Sequence, residues 1–146
     1  MKKIIIVRIK GKVDIDKSRE DTMSMLLLRK KYACSIYDDK KEIIGMLKKI
    51  RNYVMYGIIE KETLKQLIEK RARMQGNVPF KASKETIDKF VAEFFEGKKK
   101  FKDLKIKSFF RLNPHRGGFL KSTKLEYPKG VLGNNKEINK LILRML

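Results

Sequence analysis

Residues 98–124 of this 146-residue chain hold ten Lys or Arg against one acid, Asp103, with Phe101, Phe109, Phe110 and Phe119 interleaved. Cations at this density neutralise phosphates and release condensed counterions. Affinity then falls by roughly 0.7–0.9 log units per log unit of salt for each contact. Aromatic rings among them can stack on bases or press against ribose. Pro114 stiffens the stretch, while Gly117 and Gly118 permit positive φ and a close approach of backbone amides to an anion. A plainer reading places the phenylalanines in the core and leaves the lysines as a solvated face. For the rings the core reading is the stronger; for the cations the phosphate reading is.

No other grouping offers chemistry. His115 has neither a second histidine nor a nearby carboxylate, so it reads as a loop histidine meeting a polyanion or solvent. Cys34 is the only cysteine, which excludes a disulfide framework and a cysteine-based zinc site. It sits in a strand-like run and reads as an inert core thiol. Asp38-Asp39 could suggest a metal-dependent nuclease, yet two acids before a helix read better as cap and dipole partners. The glycines match neither a P-loop nor a dinucleotide fingerprint. No catalytic constellation, metal site, cofactor or small-molecule substrate is expected.

The elements that position these residues follow from periodicity. Lys3 to Lys10 is β-rich, Ser18 and Asp21 have capping-box spacing, and a helix carrying Met23, Leu26 and Leu27 should follow. Tyr32 to Tyr37 reads as a second strand, and Asp38-Asp39 as the start of a second helix. There Ile43, Met46, Leu47 and Ile50 form one face. Tyr53 to Ile59 supplies a third strand, with Gly57 marking a bulge. The expected fold is α+β: a ferredoxin-like βαβαβ unit over residues 1–59, with helices on one face of its sheet, and a helical and β-rich extension over 60–146. In the extension, Leu64, Leu67, Ile68 and Arg71 share a helix face, and Asn77 to Pro79 break the pattern. Ile87, Phe90, Val91, Phe94 and Phe95 form a stripe capped by Ser83 and ended by Gly97. The KKKFKDLKIK run and the turn-rich segment after it predict strands joined by an extended basic loop. A last helix opens at Asn134 or Asn135 and presents Ile138, Leu141, Ile142 and Met145.

Charge is the outlying property of the whole: 37 basic residues against 17 acidic, net +20. Residues 1–59 carry a net +8, residues 60–97 a net +1 and residues 98–146 a net +11. That division predicts separate basic surfaces flanking a near-neutral middle. A compact domain this basic repels itself, and a polyanion partner is the most economical explanation. Membrane is the least favoured polyanion, since no apolar run approaches the ~20 residues of a spanning helix. The first apolar run, Ile4 to Val7, is ended by Arg8 and reads as a strand, not a signal peptide. The simplest location is a reducing cytoplasm.

Two stretches carry a family resemblance. The run LLLRKKYACSIYDDKKEIIGMLKKIRNYVMYG resembles the conserved half of the universal large-subunit ribosomal protein thirty family, whose long eukaryotic form is called large-subunit protein seven. RLNPHRGGF, followed by PKGVLGNN and INKLILRML, resembles the extension of archaeal and eukaryotic members. Together they cover nearly the whole chain in the expected order. His115 departs from the motif, where many relatives have a second proline, so the loop should be slightly less stiff.

The resemblance implies a non-enzymatic constituent of the large ribosomal subunit. It would bind large-subunit ribosomal RNA in a region neighbouring 5S RNA, beside other ribosomal proteins, with no membrane partner. It implies RNA contact at Arg111, Asn113, His115, Arg116, Gly117, Gly118 and Phe119, which match the motif. Lys121 and Lys124 are added from the basic cluster, and Lys10, Lys12, Arg29, Lys30 and Lys31 are added partly on charge. The alternatives are an RNA-processing or RNA-modifying enzyme on a ferredoxin-like scaffold, which would need an acid/base or metal site, and a free-standing DNA-compacting protein.

Overall fold

The computed structural model describes residues 2–76 and 78–146. Three strands, β1 (Lys3–Arg8), β2 (Ala33–Asp38) and β3 (Val54–Ile58), alternate with helices α1 (Lys17–Met25) and α2 (Lys41–Ile50). The central strand, β1, pairs antiparallel with both β2 and β3. This is the expected βαβαβ unit. The rest of the chain adds α3 (Lys61–Arg71), α4 (Lys84–Phe95), β4 (Phe109–Arg111), β5 (Ser122–Glu126), β6 (Gly130–Asn134) and α5 (Ile138–Leu143). Its strands join the same sheet, in the order β4-β2-β1-β3-β6-β5. No helix among the described residues is long and apolar enough to cross a membrane.

The near-continuous apolar run of β1 is explained by burial on both faces. Ile4 and Ile6 point to one side, against Met23, Leu26, Leu47 and Ile50 of the α1–α2 layer. Ile5 and Val7 point to the other, where Leu64, Leu67 and Ile68 of α3, the Ile87–Phe94 stripe of α4, and Ile138 and Ile142 of α5 pack. Within residues 1–59 the helices do lie on one face, and the second face is closed by α3, α4 and α5. Each fully buried aliphatic side chain stabilises this arrangement by about 1.5–3 kcal/mol. Asn139 ties α5 to the end of β3: its side chain accepts from the Glu60 amide and donates to the Ile58 carbonyl, both at 3.0 Å.

Several local expectations need correction. No capping box forms at Ser18 and Asp21; α1 starts two residues earlier than that cap would place it, and its N-cap Asp16 accepts from the Arg19 guanidinium instead. Asp38 ends β2 and pairs with Lys3 across the sheet, so α2 begins beyond Lys40 and not at the aspartates. Gly57 is not a bulge, because its pairing with Ile5 is in regular register. Its missing side chain makes room for α5: a Cβ there would lie 2.6 Å from the Asn135 carbonyl oxygen and 2.8 Å from Ile138 Cγ2. The expected strand in KKKFKDLKIK is a 3₁₀ turn at Phe101–Leu104, with Asp103 accepting from the Lys100 amide. Asn134 belongs to β6, and α5 opens only after Glu137, whose amide donates to Asn135 Oδ1. Of the Asn77 to Pro79 break, Asn77 lies outside the described residues, and α3 has already ended at Arg71. The α4 expectations hold: Ser83 Oγ accepts from the Thr86 amide, and Gly97 follows the helix with φ +81°.

Candidate nucleic-acid interface

Strand β4 is the edge of the sheet and pairs with β2, placing Arg111 opposite Ala33. This register brings the turn before β2, with Arg29 and Lys30, against the start of the motif segment. Arg29, Lys30, Phe109 and Arg111 line one concavity together with Leu27 and Ala33. Phe109 and Arg111 also line the next concavity, with Arg71, Arg73 and Lys107. Lys107 leads on to a third, lined by Lys102 and Lys105. The basic residues of the two ends therefore meet along one sheet edge, and the near-neutral middle contributes two arginines to it. Separate basic surfaces, expected from segment charge, are not what the fold builds here.

Alternation along β4 sorts the phenylalanines. Phe110 faces inward, 1% exposed, and its ring meets Phe101 edge-on at 5.5 Å. Phe101 is itself buried against Phe90 and Phe94, so neither ring can stack on a base. Phe109 faces outward, half-buried, with Lys107 Nζ 5.6 Å and the Arg111 guanidinium 5.8 Å from its ring centre. Such placements favour the cations by about 0.5–1 kcal/mol at exposed sites.

A single buried residue holds two of the basic loops. Arg8 ends β1 with a fully buried side chain. Its guanidinium donates to the carbonyls of Lys10, Gly11 and Leu28 and to both Glu20 carboxylate oxygens. All five guanidinium donors are thereby used. The carbonyl contacts fix the chain at 10–12 and just before 29–31, where Lys10, Lys12, Arg29, Lys30 and Lys31 project from half-buried or exposed positions. Lys10 also lies 5.6 Å from the Tyr53 ring centre and Lys31 5.2 Å from that of Tyr32.

The motif loop is ordered by the last residues of the chain. The Asn113 amide donates to the Met145 carbonyl and the Arg116 amide to the Arg144 carbonyl. Gly117 and Gly118 have φ of +74° and +76°, and the Gly118 amide donates back to the His115 carbonyl, so it is not free for an anion. Asn113 and Arg116 are exposed. His115 is not: it is 6% exposed, its ring lies 4.9 Å from that of Phe119, and neither ring nitrogen has a hydrogen-bond partner. Phe119 is half-buried against the core. The structure thus makes these two a packed pair instead of a projecting contact. Lys121 is half-buried, ion-pairs with Glu137 at 3.5 Å and lies over Tyr127; Lys124 is exposed on β5.

Cys34 is fully buried in β2, and burial pushes its thiol well above the usual range. Among the described residues no group of three or more His, Cys, Asp or Glu is placed to hold a metal ion.

Residues 4–54 match the family model described as ribosomal protein L30p/L7e. The chain is 40% identical to the large ribosomal subunit protein uL30 of Archaeoglobus fulgidus, over 96% of this chain and 97% of that protein. It is 38% identical to the uL30 of Staphylothermus marinus and 37% identical to that of Nitrosopumilus maritimus, each over at least 96% of both chains. The chain belongs to the ribosomal protein L30p/L7e family. Members of this family are structural and not enzymatic, which removes the RNA-processing alternative. In this L30p/L7e chain the motif and the basic runs mark Arg29, Lys30 and Arg111, and the 98–124 cluster includes Lys107, but neither marks Arg71 or Arg73. One signal pointed to Arg71: an arginine in register with Leu64, Leu67 and Ile68 on a core-facing stripe.

Proposed function

We propose that the chain is a structural constituent of the large ribosomal subunit, in the cytoplasm, where it grips large-subunit ribosomal RNA near 5S RNA and lies beside other ribosomal proteins. The observation that carries this reading is the β2–β4 register, which gathers Arg29, Lys30 and Arg111 on one edge. In this reading residues 1–59 and 60–146 act as two parts. The first presents Lys10, Lys12, Arg29, Lys30 and Lys31 from loops anchored by Arg8. The second presents Arg111, Asn113, Arg116, Lys121 and Lys124. Gly117 and Gly118 shape the loop, and His115 with Phe119 supports it from within. Phosphate contacts of this kind fix register and orientation on an RNA without reading its sequence.

The test is filter binding of the protein to large-subunit ribosomal RNA across a salt series, with duplex DNA as competitor. Folded ribosomal RNA should be preferred, and the double variant Arg111→Ala/Arg116→Ala should bind more weakly with a shallower salt slope. Equal affinity for duplex DNA would overturn the reading in favour of a DNA-compacting protein, and an unchanged slope would remove these two arginines from the interface.

A further inference from the structure

We propose that Arg71, Arg73, Lys107 and Arg111 form a built phosphate site that receives a single backbone phosphate of the bound RNA. The inference rests on the ribosomal-RNA reading above and adds to it Arg71 and Arg73, which neither the motif nor the charge distribution marks. These four side chains and Phe109 line one concavity of about 180 Å³. A phosphate with part of its hydration fits within that space. Among the described residues, none of the four cations is ion-paired with a carboxylate; the carboxylates in ion pairs serve other cations. Four uncompensated cations around so small a space repel one another, and an anion there would relieve that repulsion.

Three features make the site a construction and not a coincidence of surface charge. Arg71 stands at the end of α3, and its Nε is buried without a hydrogen-bond partner, so the guanidinium is partly desolvated with one donor unsatisfied. The Lys107 amide donates to the Arg73 carbonyl at 2.8 Å, and Met74 bridges to Ile106, so the two cation-bearing segments are held side by side by backbone. Phe109 supports the remaining two charges, with Lys107 and Arg111 each within 6 Å of its ring centre. Guanidinium groups suit such a ligand because their planar forks can pair bidentately with phosphate oxygens.

The test compares the full chain with Arg71→Gln/Arg73→Gln in the same salt series on large-subunit ribosomal RNA. The double variant should bind about tenfold more weakly, with a slope shallower by about 0.7–0.9. Arg71→Lys, which keeps the charge, should keep most of the slope. An unchanged slope, even with reduced affinity, would overturn the site, since lost packing alone does not release fewer counterions. Circular dichroism monitors folding, and if the double variant does not fold, Lys107→Gln applies the same criterion. Failure of the unmodified chain to bind ribosomal RNA would overturn the underlying reading instead. As an independent probe, the Arg71 Nε–H resonance should shift on adding a ribosomal RNA fragment and return as salt displaces it; no shift at saturating RNA would also overturn the site.

Discussion

Glu20 of α1 accepts two hydrogen bonds from the fully buried Arg8 guanidinium of β1, at 3.0 and 3.2 Å, closing a set of five that also takes in three loop carbonyls. The pair thereby links the core of the sheet to the basic loops. Removing one partner of a buried pair leaves the other unpaired. Glu20 is 29% exposed, and water entering there softens the loss. Glu20→Ala should therefore cost about 2 kcal/mol, and Arg8→Ala, which strands three carbonyls, about 3–5 kcal/mol. Urea unfolding at neutral pH measures both.

Gly57→Ala tests the contact between β3 and α5. The added methyl meets the Asn135 carbonyl oxygen and Ile138, which backbone and core must yield to accommodate. A loss of about 1–3 kcal/mol is expected, the range of an overpacked core. The midpoint of urea unfolding should fall without a change in its slope.

The two neighbouring rings of β4 should separate stability from binding. Phe110→Ala empties a core position and should cost about 3–5 kcal/mol. Phe109→Ala should cost about 1 kcal/mol or less, because the ring is half-buried, yet weaken RNA binding by removing the support of Lys107 and Arg111. Thermal unfolding and filter binding on each variant check the contrast.

Alkaline pH provides a third kind of test. Burial raises the Cys34 thiol far above its usual range, and raises the Tyr37 and Tyr56 hydroxyls less strongly. A group whose folded value is raised contributes stability that is fully present below its unfolded value and is lost as pH climbs from there toward the folded one. Stability should therefore decline above about pH 8.5–9, where an unfolded thiol ionises. In Cys34→Ala that decline should be smaller. The thiol should also resist a disulfide-exchange reagent in the folded protein and react on unfolding, because a buried thiol supplies no thiolate.

Most of the elements and the family were legible in the sequence alone. The Ile4 to Val7 run, the α2 and α4 stripes, the Ser83 cap and the terminal Gly97 are local patterns, and periodicity and capping are local physics. The motif around Arg111 and Gly117-Gly118 was legible for the same reason, and so was the net charge. Tertiary structure decided which charges stand together. Arg29 and Arg111 are distant in sequence and become neighbours only because β2 accepts β4 along its free edge. Arg71 lies in a segment of almost no net charge, and it stands beside Lys107 only because the end of α3 meets the chain there. His115 sat in a turn-rich basic stretch that reads as exposed, and the C-terminal residues that hold the loop let it fold inward against Phe119. Arg8 looked like the charge that ends an apolar run. It became the anchor of two loops because the end of β1 lies beneath α1, where a guanidinium can be buried only with every donor satisfied.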